Sequence, residues 1–291
     1  MRGSGRYIAV DWGTTNRRAY LMGDDGGVLD TFRDDRGVIA VAAGGFPAEI
    51  AAIRNRLGAL PIIAAGMLGS TRGWVDAPYL PAPVDLAALA DGCVTVEDVA
   101  IVPGVGLRDG ARADVMRGEE VQVLGAVAAG LAPPDALFCQ PGTHNKWIET
   151  RDARIVDFAT AMTGELFALL RANGMLAGML DGPVTDGPAF RDGLARGAGA
   201  RDLTVALFEV RAAVLLSARP PEAAAAHASG ILIGADVGAR ALAGRDIHLL
   251  ADGSLADLYA VAIATAGGRP VRVDSHAAFA AGTHHIWELR Q

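Results

Sequence analysis

Two short segments of this 291-residue chain combine glycine with hydroxyl side chains in the same way. Asp11-Trp-Gly13-Thr14-Thr15-Asn16-Arg17 follows the apolar run Tyr7-Ile-Ala-Val10. Gln140-Pro-Gly142-Thr143-His144-Asn145-Lys146 follows Ala136-Leu-Phe-Cys139. Glycine lets a backbone approach a ligand closely, its N–H groups can point at anionic oxygens, and threonine adds a hydroxyl donor. One such turn would say little. Two, in equivalent places of a repeated pattern, fit a polyphosphate gripped from both sides, with Gly13, Thr14, Thr15, Gly142, Thr143 and His144 as its ligands. Asp11, just before the first turn, is placed to hold Mg²⁺ against those phosphates, chiefly through water. The chain has neither a GxxxxGK[ST] loop nor a GxGxxG after a strand, so Walker-type and Rossmann readings lack their signature.

Other groups could complete a phosphoryl transfer. Asp114, Glu119 and Glu120 gather around a helix start with Arg117. Transfer to an alcohol needs a base at the attacking hydroxyl, and a carboxylate at a helix N-terminus stays ionised. Ordinary helix capping would explain the same cluster; its place just before the second turn favours chemistry. Arg17, Arg18, Arg33, Arg36, Arg72 and Arg117 make the first half rich in guanidinium, which matches a carboxylate with two parallel hydrogen bonds. A carboxylated sugar is the substrate class this implies, though any single arginine could be solvated surface. Gly230 and Gly234, four apart, and the Asp252-Gly253-Ser254 turn leave room for a flat ring and form a candidate adenosine pocket; helix packing would explain the glycine pair equally well. His284 and His285 are adjacent and lack the spacing of metal ligands.

These groups need elements to position them. Each glycine–threonine turn lies between two strand patterns, and a polar turn then leads to a third strand ending Asp-Thr-Phe32 or Asp-Phe158. The repeat predicts a duplicated strand–turn–strand–turn–strand lobe. Between the copies the pattern gives a helix over 47–57, strands over 62–65 and 99–102, and a helix over 118–129. After the second copy it gives helices over 165–173, 203–218 and 221–242. A strand over 247–251, a helix from Leu255, a strand over 270–273 and a short last helix follow. Alternating strands and helices define an α/β class, with Pro133-Pro134 as the expected joint between lobes 1–132 and 133–291.

Composition narrows the functions. With 51% apolar and 20% charged residues the chain is globular, and a formal charge of -7 argues against a broad nucleic-acid surface. No apolar run reaches membrane-spanning length and no signal-peptide pattern opens the chain, so a cytoplasmic, reducing location is expected, with Cys93 and Cys139 as free thiols.

Several stretches together resemble the 2-dehydro-3-deoxygalactonokinases, sugar-acid kinases of the superfamily that includes heat-shock chaperones and actin. They are Asp11–Arg17, Gly66-Met-Leu-Gly-Ser-Thr-Arg-Gly-Trp74, Pro103-Gly-Val-Gly106, Asp114–Glu120, Pro141–Trp147 and Ala161-Met-Thr-Gly-Glu-Leu-Phe167. The last third matches more loosely, through Ser229–Gly234 and the Asp252-Gly-Ser turn. The resemblance implies two ribonuclease-H-like lobes of the actin-like ATPase fold with an interlobe nucleotide cleft. It also implies ATP and Mg²⁺ as cofactors, and phosphorylation of 2-dehydro-3-deoxy-D-galactonate at its 6-hydroxyl in galactonate breakdown. Asn16, Arg17, Arg72, Trp74 and Arg117 become the expected substrate contacts. Superfamily kinases usually carry an acidic base at the helix before the second phosphate strand. Here that helix opens Gly-Glu119-Glu120 instead of with an Asn-Asp pair, so Glu119 is favoured over Glu120 and Asp114. A kinase for another sugar acid, a non-catalytic regulator and a chaperone-type ATPase are the competing readings; a homodimer is compatible with each.

Overall fold

The computed structural model describes residues 5–110 and 112–291. In chain order the elements begin with β1 (Tyr7–Trp12), β2 (Arg17–Met22), β3 (Val28–Asp34), α1 (Phe46–Leu57) and β4 (Ile62–Gly66). Next come β5 (Tyr79–Pro81), α2 (Leu86–Asp91), β6 (Val94–Val96), β7 (Val99–Ile101), β8 (Gly104–Asp109), β9 (Arg112–Met116) and α3 (Glu119–Ala128). The repeat follows as β10 (Ala136–Gln140), β11 (Asn145–Arg151) and β12 (Arg154–Ala161). Helices α4 (Thr163–Ala172), α5 (Pro188–Ala198), α6 (Leu203–Leu215) and α7 (Ala224–Gly238) come next. The chain closes with β13 (Asp246–Leu249), α8 (Gly253–Thr265), β14 (Arg269–Arg272) and α9 (Ser275–Leu289).

These elements form two compact units. Unit 1 runs to Ala136 and adds Ile148–Phe158 and Val273–Gln291; unit 2 comprises Leu137–Trp147 and Ala159–Arg272. The expected lobe boundaries differ from these at Ile148–Phe158 and at α9: sequence order assigned both to the second lobe, and both fall in unit 1. Periodicity within a helix tells which face is apolar but not which partner covers it.

In unit 1 the main sheet has the order β3-β2-β1-β4-β7-β6. Strand β1 runs antiparallel to β2 and parallel to β4, and β4 runs parallel to β7. Successive side chains of a strand face opposite sides. Ile8, Val10 and Trp12 join Phe46, Ile50, Ile53 and Leu57 of α1 in one core. On the other side Tyr7 stacks on Trp287 of α9, ring centroids 4.6 Å apart. Asp274 caps α9 by accepting the N–H groups of His276 and Ala277 at 2.8 and 3.0 Å. A small sheet, β5-β8-β9, stands apart from the main one.

The second sheet has the order β12-β11-β10-β13-β14, with β10, β13 and β14 parallel; Ala136 and Ile148–Phe158 of its strands fall in unit 1 and its other residues in unit 2. Helices α5 and α7 approach backbone to backbone. A Cβ on Gly230 would lie 2.9 Å from Leu194 N, and one on Gly234 2.9 Å from Leu194 Cα. Among the described residues no helix is long and apolar enough to cross a membrane.

Candidate active site

The first turn of unit 1 closes with Gly13 N–H donating to the Asn16 carbonyl at 2.9 Å. Its carbonyls are then taken up from behind: Gly37, Val38 and Ile39 donate to Thr15, Gly13 and Thr14 at 3.2, 3.0 and 3.2 Å. Thr14, Thr15 and Asn16 remain exposed. A cavity of about 200 Å³ lies against Asp11, Gly13, Thr14, Thr15, Arg18 and Arg33. The turn is held rigidly on one side and open on the other, as a phosphate-binding backbone requires.

Two glycines bring an acidic helix start to the same place. Gly66, at the end of β4 with φ +96°, leaves so little space that a Cβ would lie 2.7 Å from the Trp12 carbonyl oxygen. Gly118, the residue before α3 with φ +106°, would place a Cβ 3.1 Å from Gly66 Cα. Both φ values fall where an L side chain is strained. The backbones of β1, β4 and the α3 entry therefore stack closely, and Glu119 enters the electrostatic field of Asp11. Partial burial pushes the Asp11 carboxyl up to about 6; Arg18 opposes that rise, Glu119 adds to it and Arg33 opposes it more weakly. Glu119 is half-buried, and its Oε2 accepts the Arg117 N–H at 3.0 Å.

The other two acidic candidates sit differently. Glu120 is fully buried and takes the Gly118 N–H on both oxygens at 2.8 and 2.7 Å. Burial, then the neighbouring Glu119, raises it to about 8, so at neutral pH it is a protonated acid and a poor proton acceptor. Asp114 lies on β9 beside a cavity of about 700 Å³ lined by Tyr79 and Arg108, and does not line the cavity at Asp11.

The expected substrate contacts divide as well. Arg17 is 5% exposed; its Nε and Nη2 donate to Asp34 at 2.9 and 3.0 Å, Nη1 lies 2.8 Å from Glu49, and the guanidinium covers the Trp12 ring at 5.0 Å. It braces β2 against β3 and α1. Arg117, 7% exposed, donates through Nη2 to the Ala77 carbonyl at 2.7 Å with its guanidinium over Tyr79 at 4.3 Å, while its Nε and Nη1 are buried without a hydrogen-bond partner among the described residues. Trp74 is half-buried and stacks on Phe46. Arg72 and Asn16 are exposed, the latter donating to Thr15 Oγ1 at 2.9 Å.

In unit 2 the second turn is braced by a helix instead of a loop. Glu165 N–H donates to the Thr143 carbonyl at 2.8 Å, and Gly164 allows that approach, since a Cβ there would sit 3.0 Å from Thr143 Cα. His144 Nε2 lies 2.7 Å from Glu165 Oε2. Lys146, 5% exposed, donates to Thr160 Oγ1 at 2.7 Å. The residue that sequence reasoning missed is Asp236 of α7. Its buried carboxylate accepts from Asn145 Nδ2 at 2.6 Å, Trp147 Nε1 at 2.9 Å, Tyr259 Oη at 3.0 Å and Thr163 Oγ1 at 3.3 Å. It ties the exit of the turn to α4, α7 and α8. A lone Asp in an apolar helical run was its only signal.

The adenosine candidates separate too. Gly230 and Gly234 are consumed by the α5–α7 contact, which leaves no face for a ring. Gly253 and Ser254 open α8 and are exposed, with nothing within 4 Å of a Cβ on Gly253. Among the described residues no three His, Cys, Asp or Glu gather as a metal site. A single carboxylate, Asp11, fits the way Mg²⁺ is held by one or two carboxylates while phosphate oxygens and water supply the rest.

In both sheets three consecutive strands lie in reverse order and the next strands extend the far side. A glycine–threonine turn joins the first two strands of each. This doubled topology is that of the actin-like ATPase fold. The family described as 2-keto-3-deoxy-galactonokinase matches residues 11–286, and the chain belongs to that family. It is similar to the 2-dehydro-3-deoxygalactonokinase of Escherichia coli strain K12, at 36% identity over 97% of each chain. A Rhizobium meliloti strain 1021 protein with the same assignment is 38% identical over 99% of this chain and 100% of its own. The crystal structure of a Sinorhizobium meliloti protein assigned to this kinase superposes with a TM-score of 0.88, at 36% identity, over 95% of this chain and 96% of that one.

Proposed function

We propose that the chain transfers the γ-phosphoryl group of ATP to the 6-hydroxyl of 2-dehydro-3-deoxy-D-galactonate, within D-galactonate breakdown. The observation that carries this reading is the close stacking of β1, β4 and the α3 entry, which sets Asp11 and Glu119 in one electrostatic field, in a member of a sugar-acid kinase family. Glu119 accepts the hydroxyl proton as the new O–P bond forms and the bond to ADP breaks. A partly buried carboxylate at a helix N-terminus is suited to that task. Backbone N–H groups and threonine hydroxyls of the turns at 13–15 and 142–144 hold the phosphates, and Gly253 and Ser254 remain as adenosine contacts. Asp11 would hold Mg²⁺, which, when bound, neutralises charge on the transferred group. Glu120, neutral and sealed, shapes the helix entry.

Coupled measurement of ADP release, with and without a panel of 2-keto-3-deoxy sugar acids, tests the reading. Release that depends on the galactonate-derived acid supports it. Release with a different acid changes the substrate, and release without any acid makes the protein an ATPase.

A further inference from the structure

The substrate carboxylate needs cations, and the structure removes two of those expected to supply them: Arg17 and Arg117 are buried and engaged within the protein. Arg18 and Arg33 are different: among the described residues neither pairs with a carboxylate as Arg17 does, and neither is buried as Arg117 is. They face each other across β2 and β3, and Arg18 in turn faces Asp11 across β1 and β2. Directly opposed residues project from the same face of a sheet, so Asp11, Arg18 and Arg33 form a row. Both arginines line the cavity at the first turn. Both also line a neighbouring cavity of about 560 Å³ closed by Tyr20, Phe32 and His276. The Arg18 guanidinium is steered there by Tyr20 Oη at 3.4 Å and His276 Nε2 at 2.6 Å.

The row has a length. Adjacent strands lie about 4.8 Å apart, so Asp11 and Arg33 are separated by roughly 10 Å of sheet. Long arginine side chains reach inward over that span. A 2-keto-3-deoxy hexonic acid carries its carboxylate and its 6-hydroxyl at opposite ends of a six-carbon chain, a length suited to such a row. We propose that Arg18 and Arg33 hold the carboxylate of the sugar acid, and that the row from Asp11 to Arg33 selects acids by length. The inference rests on the kinase reading and specifies the substrate end of the same site. A guanidinium pair can grip both carboxylate oxygens, whereas a neutral ketose of the same length would leave the two charges unmatched.

The test uses the full chain with Arg18→Met, Arg33→Met and the two lysine variants. Initial rates are measured with ATP and the six-carbon acid varied in turn, and binding of the acid alone is followed by calorimetry. Each methionine variant should raise KM for the acid about tenfold or more, the effect of losing a charge-assisted contact. At pH 8, where Asp11 stays ionised without the arginines beside it, KM for ATP should stay within about twofold, and lysine should recover part of the loss. A five-carbon 2-keto-3-deoxy acid should be a poorer substrate for the wild type, and Arg33→Met should narrow that preference. A rise in KM for ATP instead would assign the pair to the nucleotide and overturn the proposal, as would unchanged affinity for the acid. A wild type that neither binds nor phosphorylates the acid would overturn the functional reading itself. Wild-type turnover with indifferent arginine variants would overturn this assignment alone. Arg33 is exposed, so its variants should fold even if those of Arg18 do not.

Discussion

The two glycine–threonine turns share residue types but not supports. Two residues before the first glycine stands Asp11, half-buried and raised to about 6; the equivalent place in the second turn is Gln140, which carries no charge. Four residues after each glycine stands a base, Arg17 or Lys146, and each is 5% exposed and turned into its own unit. The first turn leans on the backbone of Gly37–Ile39, the second on the start of α4 and the Asp236 hub. The shared part, an open backbone with hydroxyls, is suited to phosphate. What differs is the residue two before the glycine, Asp11 in the first turn against uncharged Gln140 in the second, whose titratable pair is His144 with Glu165.

That contrast can be broken most sharply at its carboxylate. Asp11→Asn should lower kcat by about 10²–10⁴, while the Tm measured at pH 7 holds or rises slightly, because a partly desolvated charge is removed. Gln140→Glu in the second turn should restore none of the loss; recovery would make the two turns interchangeable. The supports differ in the reverse sense. Asp236→Ala should destabilise unit 2 by about 3 kcal/mol, since it strands several buried donors, and denaturant unfolding would read this. A loss under 1 kcal/mol would show the hub to be dispensable.

The pH dependence sharpens the comparison further. Glu120 has a folded value near 8 against 4.5 when unfolded, so between those limits the folded state holds a proton that the unfolded state releases. Its contribution to stability therefore falls as pH rises through that window, by at most about 1.4 kcal/mol per pH unit. Glu120→Gln should flatten the Tm profile from pH 5 to 8; an unchanged slope would mean that another group titrates there. The smallest effect concerns Asp11. Below about pH 6 it is protonated, so kcat/KM should fall as pH drops through that value. Glu119→Gln should move this limb to lower pH, because a like charge has been removed, and the residual activity of that variant suffices to measure it. A limb that stays fixed would show that the two carboxylates do not interact.

Much of this arrangement was legible in the sequence because its signals are local. Glycine–threonine after an apolar run marks a strand and its turn whatever lies elsewhere, and α1 and β4 follow from periodicity alone. Most of the failures are of long range. Arg17 and Arg117 look like free cations until Asp34, Glu49, Ala77 and Tyr79 come into contact with them. Asp236 meets partners 91, 89 and 73 residues away. The glycines at 230 and 234 offered a ligand and a helix equally, and only the arrival of α5, a helix not expected from the pattern, decided between them. The small sheet of β5, β8 and β9 escaped because strands of three to six residues carry little periodicity.

Helix α9 closes the face of β1 opposite α1, and Gly125 and Gly282 let it press against α3. During synthesis, then, the first unit to emerge is the last to be finished. Every residue of unit 2 has been made before the segment that seals Tyr7 leaves the ribosome. A nascent chain halted before Val273 would hold Asp11 on a sheet still bare on one side, a natural target for a holding chaperone and a poor candidate for expression as a fragment.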